Sequence, residues 1–166
     1  MVFQNFALLP WLDVQQNIEL GLEAQGIEKI KRAETAKKYI HMVGLEGNES
    51  AYPRELSGGM KKRASLARAI ANNPRYLFCD EPNSGLDPKT SIVIDELIHE
   101  MTIEFDMTTI VVTHDMNSVL RIGETIMFVH NGKNWWSGNK KEILKSDNKE
   151  LHDFVFASEF IKTVYK

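Results

Sequence analysis

A short apolar run that ends in two acidic residues constrains the fold of this chain more than any other segment. Tyr76-Leu77-Phe78-Cys79 is apolar throughout, closely follows Pro74, and runs directly into Asp80-Glu81-Pro82. Such a run predicts a β-strand that is buried on both faces, as strands of parallel sheets are. We therefore expect acidic side chains at the carboxyl end of a strand in a parallel sheet.

The hydrophobic pattern around this strand predicts an α/β fold. Residues 108–112 and 125–130 are further strand candidates, and residues 88–105 and 117–122 between them have helical periodicity. Strands that alternate with helices favour a parallel sheet. The chain before Pro74 carries mainly helical patterns, which predicts a separate helical subdomain.

The expected organisation has four parts. Residues 1–6 end a core strand, residues 7–73 form the helical subdomain, residues 74–130 form the α/β core, and residues 131–166 form a C-terminal hairpin and helix. The hairpin is expected because Asn-Gly is the sequence that tight two-residue turns favour.

Composition narrows the function classes. The chain has 166 residues, a formal net charge of -3 and one cysteine, Cys79, which excludes an internal disulfide and a cysteine-cluster metal site. The net charge predicts no general affinity for nucleic acid. Its apolar stretches fall short of the roughly 20 residues that cross a bilayer. We therefore expect membrane contact only through a partner.

Ser57, Gly58 and Gly59 begin a predicted helix. Backbone N–H groups at a helix N-terminus are unpaired and the helix dipole is positive there, so the segment is suited to bind a phosphate. An ordinary N-cap with a flexible entry explains the same three residues. The motif alone does not decide between these interpretations.

Three further polar residues follow predicted strands. Asp80 is placed to help hold Mg²⁺ against nucleotide phosphates, and Glu81 to polarise an attacking water as general base. His114 directly follows the predicted buried run at residues 110–113 and could hydrogen-bond a transferring phosphoryl group. The alternatives are an ordinary polar turn for the two acids and a structural role for the histidine. The occurrence of all three residues together favours the functional interpretation.

LSGGMKKR, YLFCDEPNSGLDP and VVTHD, in this order and spacing, resemble the signature, Walker B plus D-loop, and switch-histidine motifs of ABC ATPases. Phe3-Gln4-Asn5 resembles the Q-loop of that family. The resemblance covers essentially the whole chain. It implies an α/β fold: a partial P-loop NTPase parallel-sheet core with an inserted α-helical subdomain.

The resemblance also implies roles for individual residues. Gln4 would contact Mg²⁺ and the attacking water, Asp80 would support Mg²⁺, Glu81 would be the catalytic base, and His114 would steady the γ-phosphate. Ser57, Gly58 and Gly59 would bind the γ-phosphate of ATP held by the opposing subunit. Asp87 in the D-loop would communicate across the dimer.

The implied cofactors are ATP and Mg²⁺, and the implied partners are a second ATPase subunit and a transmembrane permease. The implied location of the chain is peripheral, on the cytoplasmic face of the inner membrane. The sequence departs from the family pattern because it contains no GxxxxGK[ST] loop, which normally supplies most of the phosphate binding. A fragment and a naturally reduced subunit would both show this departure. In either case we expect weak ATP binding and no turnover by this chain alone.

The transported substrate is less constrained. Gly59-Met60-Lys61-Lys62-Arg63, Asn83 and the tail at residues 148–160 resemble the ATPases of Mla-type phospholipid transport systems. In contrast, residues 8–11 resemble importers of small organic anions. A catalytically inactive subunit and a non-transport ABC protein acting on nucleic acid are the remaining alternatives.

The basic run Lys61-Lys62-Arg63 could bind acidic lipid or nucleic acid. We interpret it instead as the solvated face of the predicted helix, which is the usual position of such a run.

Overall fold

The structure is a computed structural model that describes residues 1–4 and 7–156. Its helices and strands run, in chain order, as follows: α1 Val14–Ala24, α2 Lys29–Met42, α3 Gly58–Ile70, β1 Tyr76–Asp80, α4 Pro88–Glu104, β2 Thr108–Val112, α5 Met116–Ile122, β3 Ile126–His130, β4 Lys133–Gly138 and α6 Lys149–Val155. The chain divides into two compact units, Met1–His114 and Asp115–Lys166.

The first unit begins with three helices that pack on one another. Asp13 accepts a hydrogen bond from the Gln16 amide and so caps α1, as expected of an aspartate before a helical pattern. Ser57 caps α3 in the same way, through the Met60 amide. These α-helices precede β1, where the sequence carries helical patterns.

Strands β1 and β2 pair in parallel, with Asp80 opposite Val112 at the carboxyl end. Val2 forms an isolated parallel bridge with Cys79 on the other side of β1. Three extended segments therefore lie side by side, which confirms the predicted parallel α/β core. Helix α4 connects β1 to β2 and packs against α3.

Burial of the sheet differs from the prediction. Leu77 and Cys79 are buried on one face of β1, but Tyr76 is 62% exposed and Phe78 is also exposed on the other face. Ile110 on β2 is exposed as well. The prediction of strands buried on both faces is wrong here, because within the described residues no element of this unit covers the second face.

The second unit is built around a β-hairpin. Strand β3 pairs antiparallel with β4, and His130 lies opposite Lys133 across a two-residue turn. Asn131 and Gly132 both have positive φ, which is the conformation that makes Asn-Gly the favoured sequence there. The prediction that the third strand joins the parallel sheet is wrong, because this local turn gives β3 an antiparallel partner.

The hairpin unit has its own small core. Four buried residues form it, from α5, α6 and the 3₁₀ turn before α6: Met116, Ile143, Leu151 and Val155. The predicted C-terminal helix is confirmed for Lys149–Val155, and residues 157–166 lie outside the described part of the chain.

We predict that Ile98→Ala lowers the free energy of unfolding by about 2–5 kcal/mol. Ile98 is 1% exposed in the middle of α4, so its truncation leaves a cavity. Ile103→Ala on the same helix is the matched control, because Ile103 is 67% exposed. Urea unfolding followed by circular dichroism measures both, and equal effects of the two variants would contradict the assigned packing of α4.

Candidate functional site

The parallel pairing of β1 and β2 brings two predicted site residues together. Glu81 follows β1, His114 follows β2, and His114 Nδ1 lies 2.7 Å from Glu81 Oε1. The Glu81 amide donates to the Val112 carbonyl at 2.9 Å, which extends the pairing by one residue beyond the strands. A carboxylate and an imidazole are thus joined by a hydrogen bond at the carboxyl edge of the sheet.

Glu81 has an unusual backbone conformation. Its φ is +46°, in the left-handed region that non-glycine residues seldom occupy. Such a conformation costs on the order of 1 kcal/mol or more and persists only where the surroundings hold it. Both backbone polar groups of Glu81 are held: its amide by Val112, and its carbonyl by the Ser84 amide and by Lys62 Nζ.

Gln4 and Asp80 lie beside this pair. Asp80 is the last residue of β1, and its amide donates to the Val2 carbonyl at 2.9 Å, which ties the start of the chain to the strand end. Gln4 Nε2 makes a long contact of 3.4 Å with Ser84 Oγ, three residues after Glu81. Asn5, the last residue of the predicted Q-loop motif, lies outside the described residues.

The oxygen atoms of this group fit Mg²⁺. Mg²⁺ in nucleotide sites is typically bound by one or two carboxylates together with water and substrate phosphates. Asp80 can supply the carboxylate and Gln4 an amide oxygen. Among residues 1–4 and 7–156 no cluster of three or more histidine, cysteine or acidic side chains could hold a metal by itself. Asp80 and Gln4 therefore offer oxygen donors of the kinds that Mg²⁺ takes in proteins.

The predicted phosphate-binding segment packs against the start of α4. Ser57 Oγ accepts from the Met60 amide at 3.2 Å, so the N-cap interpretation is correct for this hydroxyl group. A Cβ atom on Gly59 would lie 2.6 Å from Thr90 Cγ2, and one on Gly58 would lie 3.3 Å from Leu86 Cδ2. The two glycines therefore allow the start of α3 to approach Leu86 and Thr90.

Asp87 is the N-cap of α4. Its carboxylate accepts from the Thr90 amide at 3.0 Å and also from the Thr90 hydroxyl group. The hydrogen bonds from Thr90 lower the pKa of Asp87. Because the hydroxyl group of Thr90 is held by Asp87, the orientation of its methyl group toward Gly59 is fixed as well.

Lys62 overturns the prediction for the basic run. Its side chain is completely buried, at 0% exposure. Its ammonium group donates to the carbonyl oxygens of Phe3 at 3.1 Å, Gln4 at 3.0 Å and Glu81 at 3.2 Å. The prediction of a solvated face is wrong for this lysine, because three backbone acceptors replace water around its charge.

Arg63, next in the run, also has backbone partners. Its Nη1 donates to the carbonyl oxygens of Val43 and Gly44 at 2.9 Å and 2.7 Å. These carbonyls follow the C-terminus of α2, where helix carbonyls lack internal partners. Arg63 therefore joins α3 to the end of α2, so the solvated-face prediction does not describe its guanidinium either.

Asn83 has a structural partner that the sequence did not indicate. Its Nδ2 donates to Asp95 Oδ1 at 2.7 Å, and both residues are buried. The contact joins the loop after Glu81 to the middle of α4. It gives Asn83 a role in positioning this loop, independent of any substrate class.

Comparison with known proteins identifies the family. The sequence profile of the ABC transporter family matches residues 1–84, which is half of the chain. The chain belongs to the ABC transporter family. The predicted signature motif and Walker B motif both lie within that range, whereas His114 lies beyond it.

Relatives of this ABC chain carry the name methionine import ATP-binding protein. MetN 3 of Bacillus cereus and MetN of Bacillus subtilis are each 38% identical over 151 residues, which is 91% of this chain and 44% of the relative. MetN 2 of Listeria monocytogenes is 44% identical over 133 residues, 80% of this chain and 39% of that protein. The chain thus spans less than half the length of these relatives.

Solved ABC cassettes share the fold. A dimeric structure of the ATP-binding cassette MJ0796 in a post-hydrolysis state bound to ADP and Pi superposes with a TM-score of 0.74 at 34% identity. A second dimeric structure of MJ0796 gives a TM-score of 0.75 at 35% identity. Each match covers 84% of this chain and 61% of the cassette. The predicted P-loop NTPase fold is confirmed.

We predict that Gly59→Ala lowers the free energy of unfolding by about 1–3 kcal/mol, because the new methyl group overlaps Thr90 Cγ2. Thr90→Ser removes that methyl group and keeps the hydroxyl group that bonds Asp87. The double variant should therefore recover most of the loss. Urea unfolding of the four proteins measures the coupling, and additive effects of the two changes would contradict the contact.

Proposed function

We propose that this chain is part of the ATP-hydrolysing subunit of an ABC transporter, with Glu81 as the general base. The hydrogen bond between Glu81 and His114 carries the proposal. It joins the two side chains at the carboxyl edge of parallel strands, where ligands of open α/β sheets bind. The side chain of Glu81 is mostly buried, whereas that of His114 is largely exposed at the sheet edge.

Each residue of the pair has a distinct task in this proposal. Bound ATP supplies the γ-phosphoryl group that water attacks. Glu81 accepts a proton from that water, and general bases of this kind contribute about 10²–10⁴-fold to rate. When Glu81 is ionised, His114 Nδ1 carries a proton and donates to it. His114 Nε2 can then donate to a phosphoryl oxygen only when the imidazole is protonated.

Gln4 and Asp80 are proposed to hold Mg²⁺ together with the nucleotide phosphates. Support comes from the donor types and from the hydrogen bond of the Asp80 amide to Val2, which brings the first residues of the chain to the end of β1. Asp80 contributes negative charge, and Gln4 can also orient the attacking water.

Ser57, Gly58 and Gly59 are proposed to bind the γ-phosphate of ATP held by a second copy. The N-terminus of α3 supports this role, since the positive end of a helix dipole favours an anion. Asp87 is proposed to act beside them, since it fixes Thr90 against Gly59. The cassette MJ0796 is dimeric in its structures, which supports a dimer for this chain.

A transmembrane permease is the proposed membrane partner, and the helical subdomain at residues 7–73 is the proposed docking region. None of the helices in the described ranges 1–4 and 7–156 has the length and apolar character to cross a bilayer. The proposed location is therefore peripheral, on the cytoplasmic face of the inner membrane.

The relatives change the weight of the substrate alternatives. They are named methionine import proteins, which supports an importer of a small solute and gives no support to the phospholipid prediction. We therefore propose an importer, with methionine as the first substrate to test. Asn83 is one of the residues that carry the resemblance to phospholipid transport ATPases. Its hydrogen bond to Asp95 gives it a structural role that does not depend on the substrate.

A catalytically inactive subunit is the second candidate. It would lend only its signature helix to ATP bound by a partner. The hydrogen-bonded pair of Glu81 and His114 favours a hydrolytic site over this candidate.

We predict that Glu81→Gln lowers ATP turnover by at least about 10²-fold and leaves ATP binding intact, because glutamine keeps the shape of the side chain and cannot accept the proton. Turnover is measured with the purified chain and with a version extended by any coding sequence upstream of Met1. Only the extended version is expected to be active. Turnover that is unaffected by Glu81→Gln would contradict the assignment of the base.

We predict that deleting the gene in its own host lowers uptake of labelled methionine, and that the wild-type gene restores uptake whereas the Glu81→Gln variant does not. The control is uptake of an unrelated amino acid. Unchanged methionine uptake together with an altered phospholipid distribution would instead favour lipid transport.

A further inference from the structure

Two cationic side chains of α3 bind backbone carbonyls on both sides of residues 5 and 6. Lys62 Nζ donates to the carbonyls of Phe3 and Gln4, before these residues. Arg68 Nη1 donates to the Ala7 carbonyl at 2.6 Å, after them. Lys62 lies about one turn after the N-terminus of α3, which carries the glycine motif, and Arg68 lies in the last turn of the helix. The signature helix is therefore bonded directly to the segment that contains Gln4.

The third acceptor of Lys62 lies at the proposed catalytic base. The Glu81 carbonyl accepts from Lys62 Nζ at 3.2 Å and from the Ser84 amide at 3.2 Å. A carbonyl oxygen has two lone pairs, so it can accept both donors. This carbonyl belongs to the residue with the left-handed φ of +46°. Lys62 thus helps to hold a conformation that the backbone would not adopt unaided.

The charge of Lys62 is compensated within its surroundings. Burial lowers the pKa of its ammonium group, and the nearby Cys79, Asp80 and Glu81 act in the opposite direction. Burial also raises the pKa of the Cys79 thiol to about 12. An ammonium group has three N–H donors, which equals the number of carbonyls that it reaches.

We propose that Lys62 is a positioning residue that sets the backbones of Gln4 and Glu81 relative to each other and to the signature helix. The contacts that carry this role are its hydrogen bonds to the carbonyls of Phe3, Gln4 and Glu81. Its effect on hydrolysis passes through Glu81 and Gln4. The expected effect on hydrolysis rests on the proposed function, whereas the positioning of the Gln4 and Glu81 backbones does not.

The direct consequence is local. Lys62→Met keeps the length and apolar stem of the side chain and removes all three donors. The rate of amide hydrogen exchange should rise about tenfold or more for residues whose hydrogen bonds lie next to the three carbonyls. A rise of this size is expected because the variant loses hydrogen bonds to a charged group. Those amides belong to Val2, Asp80 and Ser84.

Hydrogen exchange measured by NMR on the chain itself tests this consequence. Lys37→Met is the matched control, because Lys37 is an exposed lysine of α2. Lys62→Arg retains donors and should restore most of the protection. If Lys62→Met does not fold, Lys62→Gln, with two amide donors on a shorter side chain, should give an intermediate increase.

Three exchange results would overturn the proposal. One is unchanged exchange at Val2, Asp80 and Ser84 in Lys62→Met, or in Lys62→Gln if the methionine variant does not fold. Another is a uniform increase that includes amides in the middle of α2, such as that of Ile40, since that would mean general destabilisation. The third is an arginine variant that exchanges as fast as the methionine variant, because hydrogen bonding would then not explain the protection.

Kinetics test the link to hydrolysis. In a version of the protein that turns over ATP, Lys62→Met should lower kcat about tenfold or more. KM for ATP should change by less than about threefold, since the proposed role of the lysine is to position backbone and not to bind nucleotide. A change in KM alone would overturn the positioning role. If no version turns over ATP, the proposed function fails, while the exchange experiment still decides whether Lys62 holds the two backbones.

Discussion

The ammonium group of Lys62 is buried, and backbone carbonyls of three segments accept its hydrogen bonds. Burying a charge is costly unless hydrogen bonds replace the lost water. The carbonyls of Phe3, Gln4 and Glu81 meet that requirement, so these segments must stay close to α3. The position of the signature helix and the geometry of the sheet edge therefore depend on one another.

The sheet edge follows from parallel pairing. Asp80 lies opposite Val112, so the residues after each strand, Glu81 and the His114 loop, emerge on the same side. Their juxtaposition could be predicted from sequence, because apolar runs define the strands and carboxyl ends of parallel strands share an edge. The caps at Asp13 and Ser57 were equally predictable, since local residue types determine them.

Other features depend on contacts between distant parts of the chain. In the sequence, Lys62 is one lysine of a basic run. Its burial could not be predicted, because its three acceptors lie 59, 58 and 19 residues away. The exposed face of β1 could not be read from its apolar run, because burial depends on what packs above it. For β3 the apolar pattern did not determine the pairing partner, whereas the local Asn131-Gly132 turn predicted a hairpin. Periodicity identifies strands better than it identifies their neighbours.

The most direct test of this account is NMR observation of the Lys62 ammonium group in the ¹⁵N-labelled chain. A buried, hydrogen-bonded ammonium should give a separate, slowly exchanging ¹H–¹⁵N signal at neutral pH that disappears in Lys62→Met and persists in Lys37→Met. If every lysine ammonium exchanged with solvent at the rate of an exposed side chain, Lys62 would not be held by the three carbonyls. The proposed connection between the signature helix, Gln4 and Glu81 would then be wrong.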